Sequence, residues 1–236
     1  MLPAEHFEVQ SLATIGQTTA HSLVNLALNG VAMEPDFVVI HHGWNDAMTW
    51  GFGDAFRPDY FHALEPWTLP VAPDRPLVRT SVLYRWLRYG TEQPPPWMIL
   101  DGWRTTPRTF NYPEDPTAEE IGVFRRNLEQ MVILAEAAGA HPVLATMPRS
   151  VKPEHKMLGL HTIADCNEAM RALANELGDR ATLVDLDAEM TGIVVDEFTD
   201  IAHLTPAGDL RKAELIIAAI RRRAAPHRPP PGPPAP

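Results

Sequence analysis

The sequence predicts an α/β fold built on a parallel sheet, and three observations carry that expectation. First, the apolar run Phe37-Val38-Val39-Ile40-His41 is bounded by Pro35 before it and by Gly43-Trp44-Asn45-Asp46 after it. A short β-branched run with such borders reads as a strand buried on both faces. Second, residues 7–12, a small-residue turn at Gly16, a helical run over 18–30 and that strand make the βαβ unit of a parallel sheet. Third, apolar runs at 141–146 and 181–186 alternate with amphipathic runs at 117–139, 161–177 and 204–220. Strands and helices that alternate in this way give a sheet covered by helices.

In chain order, residues 7–12 read as a first strand leading into Gly16. The helix over 18–30 places Leu23, Leu26, Ala27 and Val31 on one side, with Thr18 and Thr19 at its start and Gly30 near its end. Residues 37–41 form the next strand. Residues 47–115 are irregular, with Trp50, Trp67, Trp97, Trp103 and many prolines. One segment within them is helical, residues 80–89, with Leu83, Trp86 and Leu87 on one face. A long insertion at the carboxyl end of a strand suits a lid or a substrate wall, or a surface loop.

Thr117 caps a strong helix, with Glu119 and Glu120 in its first turn and Gly139 at its end. The strand at 141–146 leads to the turn Met147-Pro148-Arg149, on the same sheet edge as Asn45. Arg149 there suits a substrate carboxylate or phosphate, or is a solvated cation. Cys166 falls in the helical run 161–177 as a small core filler. Asp185 and Asp187 lie near the end of the strand at 181–186 without the partners a metal site needs. Residues 221–236 are rich in Arg and then Pro, a tail that cannot bury a core.

Composition narrows the function. A chain of 236 residues fits one domain, here 1–220, carrying an insertion. A formal net charge of −10 argues against nucleic acid and anionic membrane surfaces as partners. A single cysteine excludes an internal disulfide and a zinc site made of cysteines. No apolar run reaches the ~18 residues of a membrane span. Residues 1–6 lack the basic and apolar regions of a signal peptide.

Two stretches carry chemistry. Open α/β sheets bind ligands at the carboxyl ends of their strands. Gly43-Trp44-Asn45-Asp46 occupies that position, where Gly43 turns the backbone and the Asn45 side chain offers an amide donor. Turn chemistry alone accounts for Asn45-Asp46 equally well. Near the other end, Asp200-Ile201-Ala202-His203 precedes Thr205-Pro206, a good helix cap and first helical residue. An acid three positions before an imidazole can hold one ring nitrogen and leave the other as a base.

Together these segments resemble the SGNH (GDSL-type) hydrolases, a family of esterases, lipases and acyl hydrolases. Ala13-Thr14-Ile15-Gly16-Gln17-Thr18-Thr19 is similar to the family's second block, Gly43-Trp44-Asn45-Asp46 to its third and Asp200-Ile201-Ala202-His203 to its last. The resemblance runs from about His6 to Ile220. It implies a three-layer α/β/α sandwich with a parallel flavodoxin-like sheet. It also implies His203 as base, Asp200 as its orienting acid, and the Gly16 N–H and the Asn45 amide as oxyanion donors. Trp44 and Arg149 would then face the substrate, a small acyl ester or thioester, with no cofactor and no metal.

The family's first block, which carries the nucleophilic serine, is not in this sequence. Ser11, Ser22, Ser81 and Ser150 do not stand on a glycine-flanked strand-to-helix turn, the geometry that exposes a nucleophile. The expectation is therefore a chain that lacks the first strand and its serine, with a Gly-x-Ser or Gly-Asp-Ser turn encoded just upstream. The runner-up is a non-catalytic relative that binds acyl esters or a partner protein.

Overall fold

A parallel three-stranded sheet lies at the centre of the computed structural model, which describes residues 7–14, 16–50, 56–60, 81–89, 116–150, 160–190, 196–200 and 203–224. Its strands are β1 (Phe37–His41), β2 (His141–Ala145) and β3 (Thr182–Val184), in the order β1-β2-β3. Phe37 stands opposite His141, and Ala145 lies between His41 and Val184. The protein is thus a mixed α/β fold. Parallel pairing puts every strand's carboxyl end on one rim, and that rim decides where a site can form.

Side chains alternate across the sheet and meet different helices on each face. Ile40 and Leu144 point to one face, where they join Phe124, Leu128 and Met131 of α4 (Ala118–Ala137) and Ile163, Cys166 and Met170 of α5 (Leu160–Leu177). Leu26 and α2 (Trp44–Trp50) complete that cluster. On the other face Val143, Ala145 and Val184 pack with Ala219 and Ile220 of α7 (Pro206–Ala224). Both faces are therefore covered by helices, as a parallel sheet requires. The other α-helices among the described residues are α1 (Thr19–Asn25), α3 (Val82–Tyr89) and the short α6 (Leu186–Glu189).

α4 forms as its sequence dictates. The Thr117 N–H and hydroxyl both donate to the Glu120 carboxylate, and the Glu120 N–H donates back to the Thr117 hydroxyl. α3 starts where the Ser81 hydroxyl accepts from the Tyr84 N–H. Cys166 is fully buried in α5.

The structure corrects five expectations. Residues 7–12 are not a strand; residues 7–14 are largely exposed, and Val9 reaches 81% exposure. A strand needs a ladder to join, and the β-ladder of β1 runs along β2 alone among the described residues. The first helix does not stop at Gly30. It widens into a π-helical turn over Leu26–Gly30, tightens over Val31–Met33 and ends at Glu34 in the left-handed region, φ 51°. Gly30 keeps a helical φ of −67°; a Cβ there would press on Leu26 and Leu12, so this glycine serves packing.

The strand at 181–186 is shorter than expected, because the Asp185 side chain accepts from the Ala188 N–H and starts α6. The expected tail does not begin at Arg221, since α7 runs to Ala224. The first residues of the expected insertion, Ala47–Trp50, belong to α2, and Trp50 packs edge-on against Phe124. Most of residues 47–115 and residues 225–236 lie outside the described residues.

The Trp50–Phe124 contact makes a first test of this core. Both rings are fully buried, and Phe124→Ala should cost about 3–5 kcal/mol in urea unfolding. A loss below about 1 kcal/mol would mean that α2 and α4 do not share one core.

Candidate functional site

Gly16 adopts φ 79°, a left-handed conformation that glycine takes without strain. It turns the chain from residues 7–14 into α1. The Thr18 N–H and hydroxyl meet Nδ1 of His21 at 3.2 and 2.8 Å, so this imidazole takes the place that Glu takes in a standard capping box. Gly43, at φ 155°, turns the chain out of β1, close to Cys166 and Met147. α2 then begins at once with Trp44, so Asn45 stands in its first turn and not in a loop.

Asn45 and Asp46 both reach the Gly16 turn. The Asn45 amide donates to the Gln17 carbonyl at 2.9 Å. An amide carries two N–H donors, and the second has no partner among the described residues. Asp46 has no exposed surface. Its carboxylate accepts from the Thr19 N–H at 3.0 and 3.1 Å, from the Thr19 hydroxyl at 2.6 Å and from the Tyr60 hydroxyl at 2.9 Å. Asn127 of α4 donates in turn to the Thr19 hydroxyl. The side chain of Trp44 packs half-buried against the core.

At the other stretch, Phe198 and Leu204 form an antiparallel bridge, and the Thr199 N–H donates to the His203 carbonyl at 2.8 Å. This pairing brings Asp200 and His203 side by side. Asp200 accepts from the His203 N–H at 2.9 Å and meets its Nδ1 at 2.7 Å. The imidazole is thereby fixed with Nδ1–H toward the acid, which leaves Nε2 as a base. Behind it, the Thr205 hydroxyl caps α7 through the Gly208 N–H. A methyl on Gly208 would run into the Glu197 carbonyl oxygen, so only glycine lets the turn seat on α7.

The late end of α7 gives its direction: Arg223 borders the same hollow as His141 and Pro142 at the start of β2. Arg223 also donates to the Asp179 carbonyl just before β3. α7 therefore runs antiparallel to the strands, and His203 ahead of its first turn lies toward the carboxyl rim that holds Asn45. Each pair forms by itself; among the described residues no hydrogen bond joins Asp200–His203 to Asn45–Gln17.

Arg149 sits on this rim too, but its guanidinium is engaged. Nε and Nη2 donate to the two oxygens of Asp187 at 2.7 and 2.9 Å. Asp185 and Asp187 also take Arg171, and the Thr146 hydroxyl donates to Asp185. Arg171 holds Asp185 below the usual carboxylate range, and Arg149 with Arg171 does the same for Asp187 against the opposing effect of burial. These charges bind one another and fix the turns after β2 and β3. Among the described residues no group of three or more His, Cys, Asp or Glu is placed to hold a metal, and no helix is long and apolar enough to cross a membrane.

Sequence reasoning missed Asp46, Thr19, Tyr60 and Asn127 as the supports of the rim. The only signal was Asp46 itself, an acid beside Asn45 in a strand-end turn. Tyr60 carries no pattern of its own, and its φ of 58° becomes visible only in the fold.

No family model and no curated protein sequence matches the chain. Among solved structures it is similar to two mutant forms of Axe2, an acetylxylan esterase from Geobacillus stearothermophilus. The TM-score is 0.47 at 12% identity, over 87% of this chain and 68% of that one. A likeness this distant carries no conclusion about chemistry. What fold and rim define directly is an α/β protein with an oriented imidazole and, among the described residues, an amide N–H without a partner, both toward the carboxyl side of its sheet.

Burial also sets a pH dependence. It pushes His41 and His42 from 6.5 down to about 4, the charge of His21 adding to the effect on His42. Burial pushes Asp46 up to about 6, against the hydrogen bonds from Thr19 and Tyr60. The imidazoles contribute stability that is present above pH 6.5 and lost as pH falls to about 4. Asp46 contributes stability that is present below 3.8 and lost as pH rises to about 6. Each is worth roughly 3 kcal/mol, so two histidines outweigh one aspartate. Unfolding free energy should rise from pH 4 to pH 6.5; His42→Gln should flatten the rise, and Asp46→Asn should steepen it. A flat wild-type profile in urea titrations would contradict the burial of these groups.

Proposed function

We propose that this chain is a serine acyl hydrolase of the SGNH type, acting on a carboxylic ester or thioester, whose nucleophilic serine lies outside these 236 residues. The observation that carries the reading is the Asp200–His203 pair. Two hydrogen bonds fix one imidazole edge and turn the other to solvent, with His203 75% and Asp200 51% exposed. An exposed pair of this kind contributes about 0–1 kcal/mol to stability, so orientation is its main consequence. The spare N–H of Asn45 beside the Gly16 turn supports the same reading.

The chemistry follows from these atoms. The serine oxygen attacks the acyl carbon while its proton passes to Nε2 of His203, and Asp200 stabilises the imidazolium. The carbonyl oxygen becomes an oxyanion that accepts from the Asn45 amide and the Gly16 N–H. The carbon–oxygen or carbon–sulfur bond to the leaving group breaks, and Nε2 returns the proton to it. Water then repeats the sequence on the acyl-serine and releases the acid. Trp44 and Arg149 act at the margin in this reading, since one packs on the core and the other is paired with Asp187.

A second reading, a binding protein without catalysis, is favoured by the serines themselves. Ser22 lies within α1, Ser81 caps α3 and Ser150 is buried. A fluorophosphonate probe separates the two. The product extended upstream in frame should be labelled, and the 236-residue chain should not. In the extended product, His203→Ala should cut ester turnover by at least ~10³-fold and Asn45→Ala by ~10²–10³-fold. A stop codon directly before Met1, or an unlabelled extended product, leaves the binding reading in its place.

A further inference from the structure

Asp46 is a buried carboxylate that the hydrolytic steps above do not use. It sits next to Asn45 in the first turn of α2, and both side chains reach the same short loop. Asn45 holds the carbonyl of Gln17, and Asp46 holds the N–H and hydroxyl of Thr19. The turn containing Gly16 is thus pinned on its α1 side at two points, both supplied by adjacent residues. A third segment joins at the same carboxylate through Tyr60. Tyr60 keeps φ 58°, a left-handed conformation disfavoured for a bulky residue, while its ring is buried and its hydroxyl donates to Asp46.

We infer that Asp46 is the positioning residue of the Gly16–Asn45 pair, fixing the distance between the two donors by clamping Thr19 and Tyr60 to the first turn of α2. The role of that pair as oxyanion donors rests on the hydrolase reading; the clamp itself rests on the hydrogen bonds. A merely packed side chain would need no acceptor here, whereas this carboxylate takes donors from two segments remote in sequence. The groups that face it are His42 at 3.8 Å on its own turn, with His21 of α1 behind it, Tyr60, and Cys166 of α5. The Cys166 thiol is pushed up chiefly by burial and then by Asp46, so it stays neutral beside the carboxylate.

The test reads the Asn45 side chain directly by amide NMR of the 236-residue chain, from about pH 4.5 to about pH 7.5, around the Asp46 midpoint of about 6. Asn45→Ala identifies the side-chain resonances. The Thr19 N–H and both Asn45 Nδ2 protons should move together through one midpoint. Tyr60→Phe and Thr19→Val each remove a donor to the carboxylate, so each should raise that midpoint. Asp46→Asn should abolish the titration and displace the Asn45 resonances. If Asp46→Asn does not fold, the two conservative variants decide.

The inference is overturned if the Asn45 resonances stay put while Thr19 titrates, or if Tyr60→Phe and Thr19→Val leave the midpoint unchanged. No turnover is measured, so the hydrolase reading fails or stands separately. Coupled titration in a family of products that never label with fluorophosphonate would sink only the hydrolase reading.

Discussion

One buried carboxylate holds the rim together. Asp46 has no exposed surface, and its charge would be costly there without the donors of Thr19 and Tyr60. Burial still raises its pKa to about 6, so the hydrogen bonds offset only part of the desolvation. The return on that cost is geometric. Residues 27 and 28 positions apart in sequence are brought into register at the start of α1 and α2. Replacing the carboxylate by an apolar group would leave the Thr19 N–H buried without an acceptor, at about 1–3 kcal/mol.

The same solution recurs at the other two strand ends. After β2, Asn167 of α5 donates to the Met147 carbonyl and accepts from the Met147 N–H, both at 2.8 Å. After β3, Arg171 grips Asp185 and Asp187 while Asp187 also takes Arg149. A parallel sheet leaves its strand-end backbone groups to turns, since the ladder stops there. Asn167 satisfies both backbone groups of Met147, and the Thr146 hydroxyl accepts from the Asp187 N–H, so polar side chains fix these turns on the rim where open α/β sheets bind ligands. By contrast, the open hollow at the opposite rim, near His141, Asp179 and Arg180, is bordered by an Arg180–Glu136 pair and lies at the strands' amino ends. Chemistry is not expected there in an open α/β sheet.

Much of this was legible in the sequence. β1 and β2 show as apolar runs with hard borders, and α4 and α5 as amphipathic runs with a capping box and closing glycines. Those signals are local and survive without knowledge of the partners. Residues 7–12 mislead because alternation of apolar residues specifies a strand only where a neighbouring strand is present to pair with it. β3 is shortened by a competing local interaction, the Asp185 cap on α6. Asp200 and His203 could be read because they meet within one turn. Arg149 could not, because its partner Asp187 lies 38 positions away. The Asp46 network was invisible for the same reason, since long-range hydrogen bonds leave no periodic trace.

The exposure of His203 bears on how the Asp200–His203 pair could work as a base. A proton relay gains strength where water is excluded, since a unit charge pair at 4 Å is worth about 1 kcal/mol in water and about 4 at an effective dielectric of 20. At 75% exposure the imidazole stands near the weaker limit. β1 meanwhile leaves Val39 42% exposed at the centre of a strand that pairs along one edge among the described residues. In the hydrolase reading both observations fall on the carboxyl rim and on the edge of β1 that pairs with no strand among the described residues. In the hydrolase reading the element that brings the serine therefore has two physical tasks besides delivering an oxygen. It must extend the sheet past Val39, and it must take water away from the Asp200–His203 pair so that the orientation already built into that turn becomes catalytically effective.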